Sequence, residues 1–426
     1  MERTTQNVLI IGGGASGTIT AIALQRLGVA GESIDIAEPR ALLGEGLAYA
    51  TRDPLHRLNV PTSKMSAIWA APEDFLEWTG MVPYSFAERR IYSTYLRDRL
   101  GAMVNHISDV VVDIEEKVDG TFAATFAAGE VRHYRKVVVA VGNGPARIPD
   151  FLKNTPPSPR IIIDVWDGTP LPEAQTIICF GTGLTFVDVS ITHLARDPKN
   201  KVIAISGSGN LPERHFPSPV SLNTPAIEEV NTLEKLRAYL ANAGSNYRQA
   251  VDSLRPITED IWRGFTVAER EEFLRTDGSV WFKRRHRIAT EVAENLDAQI
   301  AAGRISVISG KVSRVEVTED SVSLILENGE RYEGDYLALC IGRDYKLSDP
   351  LTSSLVSKGK TSRGPLDMGL SVDVSTGQLQ HADGTTYKGV YALGPLRSGE
   401  AFESSAIPEI SKQAWLIAER IKAELV

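Results

Sequence analysis

Apolar runs that lead into glycine-rich turns are the most regular feature along this chain. Residues 8–11 form a continuous β-branched run, which is typical of a strand buried on both faces of a parallel sheet. A turn follows, and residues 18–27 then carry apolar positions at helical spacing. Residues 176–180 repeat the pattern, with a turn and an apolar helix that continues through Leu194. The pattern predicts an α/β fold that contains two strand–turn–helix units.

The first turn has the residues of a phosphate-binding loop. Its glycines follow a GxGxxG spacing, which permits a tight turn, close approach of the backbone to a pyrophosphate and close helix–strand packing. The helix N-terminus also offers the anion free N–H groups and the positive end of its dipole. The residues predicted to bind a dinucleotide here are Gly12, Gly14 and Gly17, with the intervening Ala15 and Ser16. A second strand, residues 33–37, ends in Glu38, roughly 20 residues after the last glycine, where an acid accepts both hydroxyls of an adenosine ribose.

The second turn keeps two of the three glycines. Phe186 stands where the first unit has its third glycine, which loosens the packing argument but leaves the phosphate-facing part of the motif intact. This unit is therefore predicted to bind a pyridine nucleotide, and a degenerate unit that has lost its ligand is the alternative. The predicted binding residues are Gly181, Gly183, Leu184 and Thr185.

The end of the next strand, residues 201–205, is the place where the ribose of that nucleotide is selected. An acid there favours NAD, and an arginine favours the 2′-phosphate of NADP. The chain has neither, and continues instead as Ser206-Gly207-Ser208-Gly209. The small hydroxyls and the nearby Arg214 favour NADPH slightly over NADH.

Composition is that of an ordinary soluble globular protein. The chain has 426 residues, 42% of them hydrophobic, and 46 Lys+Arg against 54 Asp+Glu give a formal net charge of −8. This length predicts two domains. The acidic balance disfavours nucleic acid as a partner, and no apolar run has the length of a membrane helix or a signal peptide. We therefore expect a cytoplasmic protein with a small-molecule substrate and no membrane partner, and the oligomeric state is left open.

Metal and thiol chemistry are not indicated. Cys179 and Cys340 stand far apart in separate apolar runs without a CxxC pair, which disfavours a disulfide framework, a zinc ribbon and a redox-active dithiol. The histidines form no HxxxH or HExxH motif, so no metal site is predicted.

Residues 211–300 are less regular and predict a helix-rich insert that caps the active-site cleft. The insert contains the densest basic cluster of the chain, residues 281–287, in which Trp281 and Phe282 are expected in the core. The cluster suits an acidic substrate or a cofactor phosphate, because arginine binds a carboxylate in a bidentate manner. The simpler interpretation is a solvated helix face on which Arg287 pairs with Glu291 at i,i+4.

The order of these motifs resembles that of the two-domain FAD/NAD(P)-binding flavoproteins, and more closely the FAD-NAD(P)-binding proteins related to flavin-dependent monooxygenases. Besides the two turns, the resemblance is carried by residues 44–49, 56–61, 65–66, 211–212, His215, 394–396, Gly399, Glu403 and 406–410. It implies an FAD-binding Rossmann-like domain, residues 1–155 and 331–426. Nested in it is a second, NAD(P)-binding Rossmann-like domain, residues 156–330, with the helical insert at about 211–300.

The resemblance also implies where the cofactor lies. The first glycine turn would hold the FAD pyrophosphate and Glu38 the adenosine ribose. The loop 56–61 would lie beside the flavin ring, with Asn59 and His56 as candidate catalytic residues, although Asn59 could instead be a turn residue that bonds its own backbone. A helix N-terminus near the pyrimidine ring would stabilise the negative charge of a reduced flavin. The remaining implied cofactor contacts are Val60, Gly142, Gly394, Pro395 and Ile407.

The leading interpretation is an FAD-dependent oxidoreductase that is reduced by NAD(P)H and uses oxygen to hydroxylate a small organic substrate. The protein would orient the reactants and exclude water while the cofactor supplies the chemistry. One alternative is a flavin dehydrogenase or oxidase that takes electrons from its substrate and keeps the central unit as a scaffold. Another is a non-catalytic FAD protein that senses nucleotides or binds a partner. Disulfide reductase chemistry is not expected, because the sequence offers no dithiol.

Overall fold

Two parallel sheets carry the fold, and the computed structural model describes residues 6–101, 103–216 and 222–425. The strands are β1 (Gln6–Ile11), β2 (Ile34–Ala37), β3 (Asn105–Ile107), β4 (Val111–Glu116), β5 (Phe122–Phe126), β6 (Val131–Val139), β7 (Ile161–Ile162), β8 (Thr176–Phe180), β9 (Lys201–Ser206), β10 (Ile305–Ser309), β11 (Val312–Val317), β12 (Val322–Leu326), β13 (Arg331–Gly334), β14 (Tyr336–Leu339), β15 (Gln378–Gln380) and β16 (Thr386–Ala392). The α-helices are α1 (Ala15–Arg26), α2 (Asp74–Thr79), α3 (Arg89–Leu100), α4 (Leu184–Arg196), α5 (Leu233–Asn242), α6 (Tyr247–Ser253), α7 (Thr258–Gly264), α8 (Val267–Thr276), α9 (Gly278–Arg285), α10 (Thr290–Ala301), α11 (Pro350–Ser357) and α12 (Ile407–Leu425).

The first sheet is built around β1, the β-branched run at the start of the chain. Its strand order is β15-β16-β6-β1-β2-β3, and the five strands from β16 to β3 run parallel. Strands β4 and β5 extend it from β6 in antiparallel fashion. Val8, Leu9 and Ile10 are fully buried, because α1, α3 and α12 cover one face and the antiparallel extension with α11 covers the other. Strand β16, close to the end of the chain, therefore lies in the same sheet as β1.

The second sheet has five parallel strands in the order β10-β9-β8-β14-β7. Helices α4 and α10 cover one face through an apolar layer that includes Phe186 and Val292. The antiparallel sheet β11–β13 covers the other face through Val322 and Leu324. The predicted fold class, two Rossmann-like units with a helical insert, is confirmed. The exact domain boundaries stay predictions.

Helices α5 to α9 form a separate layer with an apolar core of its own. Trp262, Phe273 and Trp281 are buried there with Phe402, which belongs to the loop before α12. The rings of Trp262 and Phe402 stack with their centroids 4.5 Å apart. Segment 211–300 is thus rich in helices as predicted, although residues 217–221 of it lie outside the described part of the chain.

The two cysteines, which stand far apart along the chain, are close together in the fold. Strands β8 and β14 are neighbours, and Cys179 lies in β8 while Cys340 directly follows β14. The two side chains are hydrogen-bonded to each other, and both are buried free thiols. The hydrogen bond with Cys179 and burial raise the pKa of Cys340, so it stays protonated near neutral pH. Separation along the chain misleads here, because paired parallel strands come from distant parts of a sequence.

The basic cluster at residues 281–287 also differs from its simplest interpretation. Arg287 is only 4% exposed, and its Nη1 donates to Asp252 of α6 at 2.8 Å rather than pairing with Glu291. The i,i+4 argument fails because Arg287 lies in the connection between α9 and α10, so the two residues do not share a helix. The Cζ of Arg284 lies 4.3 Å from the ring centroid of Tyr247. The cluster is therefore largely packed and paired.

Candidate functional site

The two glycine turns begin with the same backbone geometry. Gly12 has φ +102° and Gly181 has φ +108°, a conformation that L side chains rarely adopt. A Cβ on Gly12 would lie 2.5 Å from the carbonyl oxygen of Ala140, and one on Gly181 would lie 2.5 Å from that of Cys340. Each turn is thus pressed against the strand end beside it, and glycine is required at its first position.

The second glycine of each turn faces open space. Gly14 and Gly183 are the N-cap residues of α1 and α4, and no side chain of the described residues caps either helix. A Cβ on Gly183 would have no neighbour within 4 Å, and one on Gly14 would first contact the Cα of Gly46 at 3.4 Å. Both helix N-termini therefore leave room for an anion against their free N–H groups.

The turn before α1 opens into a groove of about 150 Å³, called the first groove below. Eight of the predicted cofactor-binding residues line it: Gly12, Gly14, Ala15, Ser16, Glu38, Gly142, Pro395 and Ile407. Gly17 lies beneath the turn, where a Cβ would come within 1.9 Å of the Gly12 carbonyl oxygen, so its function is close helix–strand packing. Gly394 does not line the groove but approaches Ser16, and its N–H donates to Gln413 Oε1 at 2.9 Å.

Glu38 is held firmly at the end of β2. Its Oε2 accepts the Gly13 N–H at 2.9 Å and its Oε1 accepts the Arg40 N–H at 3.1 Å. The carboxylate is buried against the protein yet lines the first groove. Each carboxylate oxygen has a further lone pair, so the group can still accept hydrogen bonds from a ligand. A glycine turn without side chains, an uncapped helix N-terminus and an acid at the strand end together fit an adenosine diphosphate.

The first groove continues into a larger cleft, with a cavity volume of about 400 Å³. Residues that line both are Leu47, Ala48, Tyr49, Asn143, Ser405 and Ile407. The predicted residues Asn59, Val60, Leu184 and Thr185 also line the cleft, so the start of α4 reaches the space that the first groove enters. Gly181 and Gly183 belong to the same turn but lie outside its lining. The cleft therefore adjoins the first groove and reaches the start of α4, the helix that follows the second turn.

Asn59 has a free side chain and a fixed backbone. Its amide group makes no hydrogen bond to any residue that the structure describes, whereas its carbonyl oxygen accepts the Nε2–H of His215 at 2.9 Å. Burial lowers the pKa of His215 to about 4, so the imidazole is neutral near pH 7, with the proton on Nε2. The sequence does not indicate a role for His215 at the site, because this residue lies more than 150 residues away from Asn59 along the chain.

His56 is placed differently from Asn59. It lines neither cavity, and both ring nitrogens are engaged, with Thr51 Oγ1 at 2.7 Å and Thr192 Oγ1 at 2.9 Å. Thr192 belongs to α4, so His56 ties the loop 56–61 to the second unit. The geometry gives its predicted catalytic role no support.

Ion pairs supply most of the charge in the cleft. Arg89 pairs with Asp188 of α4 at 2.8 Å, and Arg343 pairs with Asp164 at 2.5 Å. Arg255 and Arg285 also line the cleft and reach it from the helical layer. Of these arginines, only Arg285 belongs to a cluster that the sequence analysis identified. Arg89, Arg255 and Arg343 each lie in a different segment, so no local sequence pattern indicates them.

The loop after β9 has a basic neighbour from the cluster at residues 281–287, which the sequence offered for a cofactor phosphate without indicating this contact. Lys283 of α9 donates from Nζ to Ser208 Oγ at 2.5 Å. Arg214, the residue that favoured NADPH at the level of sequence, forms an ion pair with Asp297 instead. Lys283 therefore provides a positive charge at this loop.

Comparisons with known proteins agree with this architecture. Residues 9–144 match the model of a family described as FAD-NAD(P)-binding. Ornithine N-hydroxylase KtzI from Kutzneria sp. 744 superposes with a TM-score of 0.68 at 15% identity, over 99% of this chain and 100% of that one. Ornithine hydroxylase PvdA from Pseudomonas aeruginosa gives 0.65 at 16% identity, with the same coverage. Bacillithiol disulfide reductase Bdr from Staphylococcus aureus gives 0.60 at 15% identity, over 100% and 99%. No curated protein matches the chain in sequence.

The chain therefore contains an FAD-NAD(P)-binding domain and has, over its full length, the two-Rossmann fold of FAD/NAD(P)-dependent oxidoreductases. The resemblance to two-domain FAD/NAD(P)-binding flavoproteins is confirmed. Flavin-dependent N-hydroxylating monooxygenases and a disulfide reductase share this fold, so the fold by itself does not distinguish the two activities. In the described part of the chain no helix could cross a membrane, and no group of His, Cys, Asp and Glu side chains could hold a metal ion.

Proposed function

We propose that this protein is an FAD-dependent oxidoreductase that is reduced by NAD(P)H and hydroxylates a small organic substrate. The observation that carries the proposal is the cleft that adjoins the first groove and reaches the start of α4, the helix after the second glycine turn. A ring bound from the first turn and a ring bound from the second would meet in the same cleft, as hydride transfer between them requires. FAD supplies the redox and oxygen chemistry when it is bound.

The residues of the first groove are assigned to FAD. Gly14, Ala15 and Ser16 would bind the pyrophosphate at the uncapped end of α1, and Glu38 would accept the ribose hydroxyls. Ile407 begins α12 and lines both cavities, so the positive end of that helix would lie near the flavin.

The residues at the start of α4 are assigned to the nicotinamide nucleotide. Gly183, Leu184 and Thr185 would take its pyrophosphate, again at an uncapped helix N-terminus. We assign the 2′-phosphate of NADPH to Lys283 with Ser208, since this ammonium group is the basic contact that the loop after β9 makes.

The lining of the cleft favours oxygen transfer over disulfide reduction. Leu58, Val60, Met65, Ile163 and Val165 make part of it apolar, which would help to keep water from a reactive intermediate. A reductase is the second candidate, because the Staphylococcus aureus disulfide reductase shares the fold over the full chain. No cysteine lines the cleft, Cys179 and Cys340 are both buried, and the pKa of Cys340 is raised by its hydrogen bond with Cys179 and by burial, so a dithiol relay has no thiol in reach.

Anaerobic reduction separates the candidates. Rapid bleaching of the bound flavin by NADPH, followed by oxygen-dependent product formation, supports the monooxygenase. Anaerobic turnover of a low-molecular-weight disulfide would select the reductase. Bleaching by a metabolite but not by NADPH would select a dehydrogenase, and no bleaching at all would select the non-catalytic alternative.

Asn59 provides a sharper test. Its amide is free to hold one hydrogen bond in the cleft, so Asn59→Ala should keep FAD and its reduction by NADPH while substrate turnover falls roughly a hundredfold, the scale of one well-placed polar contact. The reduced flavin should then discharge as hydrogen peroxide. The measurement is the ratio of peroxide released to NADPH consumed.

Asn242→Ala is the matched control, because Asn242 ends α5 in an exposed position. It should leave both turnover and the peroxide ratio at parental values. If Asn59→Ala behaved like this control, Asn59 would have no catalytic role.

A further inference from the structure

The wall that the helical layer contributes to the cleft is rich in positive charge. Arg255, Arg285 and His286 line the cleft there, next to Ser405 at the start of α12. We call Arg255, Arg285 and His286 the arginine wall. It stands out in a chain whose formal net charge is −8.

Two glutamates hold the guanidinium groups in place. Arg255 donates from Nε and Nη2 to Glu409 at 2.9 and 3.2 Å, and Arg285 donates from Nε to Glu403 at 2.9 Å. Glu403 also accepts Trp281 Nε1–H at 2.7 Å, and its backbone has φ +59°, a region uncommon for residues other than glycine. Strained residues of this kind cluster at functional sites. In this backbone conformation the buried Glu403 carboxylate accepts the Nε–H of Arg285.

Both arginines of the wall keep donors that the described residues leave unused. The pairings above employ one edge of each guanidinium, and Nη1 of both Arg255 and Arg285 has no protein acceptor among the described residues. Fixed arginines with spare N–H groups in a cavity are suited to bind an oxyanion.

Glutamates already balance the charges of the two arginines. Glu409 pairs with Arg255 and Glu403 pairs with Arg285, while the nearby Asp252 pairs with Arg287 at 2.8 Å. A ligand would therefore meet fixed N–H donors that are still unused, in a cavity where water screens less than in bulk solvent.

We infer that the arginine wall binds a carboxylate, so that the substrate is a small organic anion; the inference deepens the proposed function and rests on it. Arg255 and Arg285 are the direct donors, while Glu403 and Glu409 position them. An anion there would lie beside the start of α12, in the cavity that both cofactors are proposed to share. A phosphate of the nicotinamide nucleotide is the other source of such an anion. The uncapped N-terminus of α4 already offers that phosphate a site, which leaves the wall for the substrate.

Calorimetric titration of the FAD-loaded protein tests the inference without turnover. The probes are acetate, benzoate and glutarate, each with its neutral amide. At least one carboxylate should bind the parent, and Arg285→Gln and Arg255→Gln should each weaken it at least about tenfold, which corresponds to about 1.4 kcal/mol. The amides should bind equally weakly to all forms. Arg255 and Arg285 lie in different helical segments, so if one variant fails to fold the other still tests the inference.

Arg284→Gln is the matched control, since Arg284 is the next residue on α9 but stacks on Tyr247 instead of lining the cleft. Unchanged carboxylate binding in both wall variants, or no binding to the parent, would overturn the inference. An equal rise in the KM for NADPH would also overturn it, by assigning the wall to the cofactor. If NADPH does not reduce the flavin, but carboxylates bind the parent and Arg285→Gln weakens that binding, the proposed function is wrong and the anion site is supported.

Discussion

The two glycine turns start alike and then diverge, and the difference separates the parts of a dinucleotide-binding motif. Gly12 and Gly181 share the same left-handed backbone and the same 2.5 Å constraint from a neighbouring strand end. At the third position Gly17 packs against its strand, whereas Phe186 is fully buried in the apolar layer of the second sheet. The phosphate-facing end of the motif therefore does not depend on how the helix is packed behind it.

The strand that follows each turn differs as well. The first unit ends β2 in Glu38, which two backbone N–H groups hold at the groove. The second ends β9 in Ser206, whose hydroxyl is hydrogen-bonded to Thr182 at 2.9 Å inside the loop. The first unit thus carries an acid of its own at this position. The second has a contact there from Lys283 of another helix, which belongs to the insert.

The largest effect is expected from Gly14→Val. A valine side chain would fill the first groove in front of the α1 N-terminus and block the pyrophosphate, so FAD affinity should fall far more than tenfold. The flavin absorbance of the purified protein, per mole of chain, measures it. Full FAD occupancy in this variant would show that the first turn does not bind the cofactor.

Gly183→Val makes the same change in the second unit and should leave the first untouched. A Cβ there meets open space, so the fold should persist, and the spectrum of bound FAD should be unchanged. Reduction by NADPH should slow by roughly a hundredfold or more, because close backbone approach to the nucleotide is lost. Stopped-flow bleaching under anaerobic conditions measures the rate. Normal reduction would make the central unit a scaffold, as in the dehydrogenase alternative.

Local patterns predicted the turns and the strands next to them well. Strand β8 has the predicted bounds, and β1, β2 and β9 differ from prediction by one or two residues. These elements are recognisable because their signal, a β-branched run followed by glycines, lies within about ten residues.

Contacts between distant segments could not be predicted in this way. The meeting of Cys179 and Cys340 follows from strand order, and the pairing of Arg287 with Asp252 follows from how α6 packs on the α9–α10 connection. Lys283 likewise reaches Ser208 only through the folded insert. A single sequence shows which residues are basic or apolar, but not which segments the fold brings together.

A smaller and more selective effect is expected from Lys283→Ala. The Lys283 ammonium donates to Ser208 at 2.5 Å, and burial lowers its pKa, which a bound phosphate would offset. A charge-assisted hydrogen bond of this kind contributes about 1.5–3 kcal/mol, so the preference for NADPH over NADH should drop by roughly ten- to a hundredfold. The ratio of kcat/KM for flavin reduction by the two nucleotides measures it, and FAD content should not change.

Arg214→Ala decides between the structural and the sequence-based assignment of the same phosphate. Arg214 is much closer to the loop along the chain than Lys283 is. However, its guanidinium is paired with Asp297 and its side chain is 44% exposed. Its removal should therefore leave the NADPH/NADH ratio within about twofold, the range of a weak surface pair. If Arg214→Ala lowered the ratio and Lys283→Ala did not, the phosphate would belong to Arg214. If neither changed it, the second unit would read no 2′-phosphate, and its difference from the first unit would lie in packing alone.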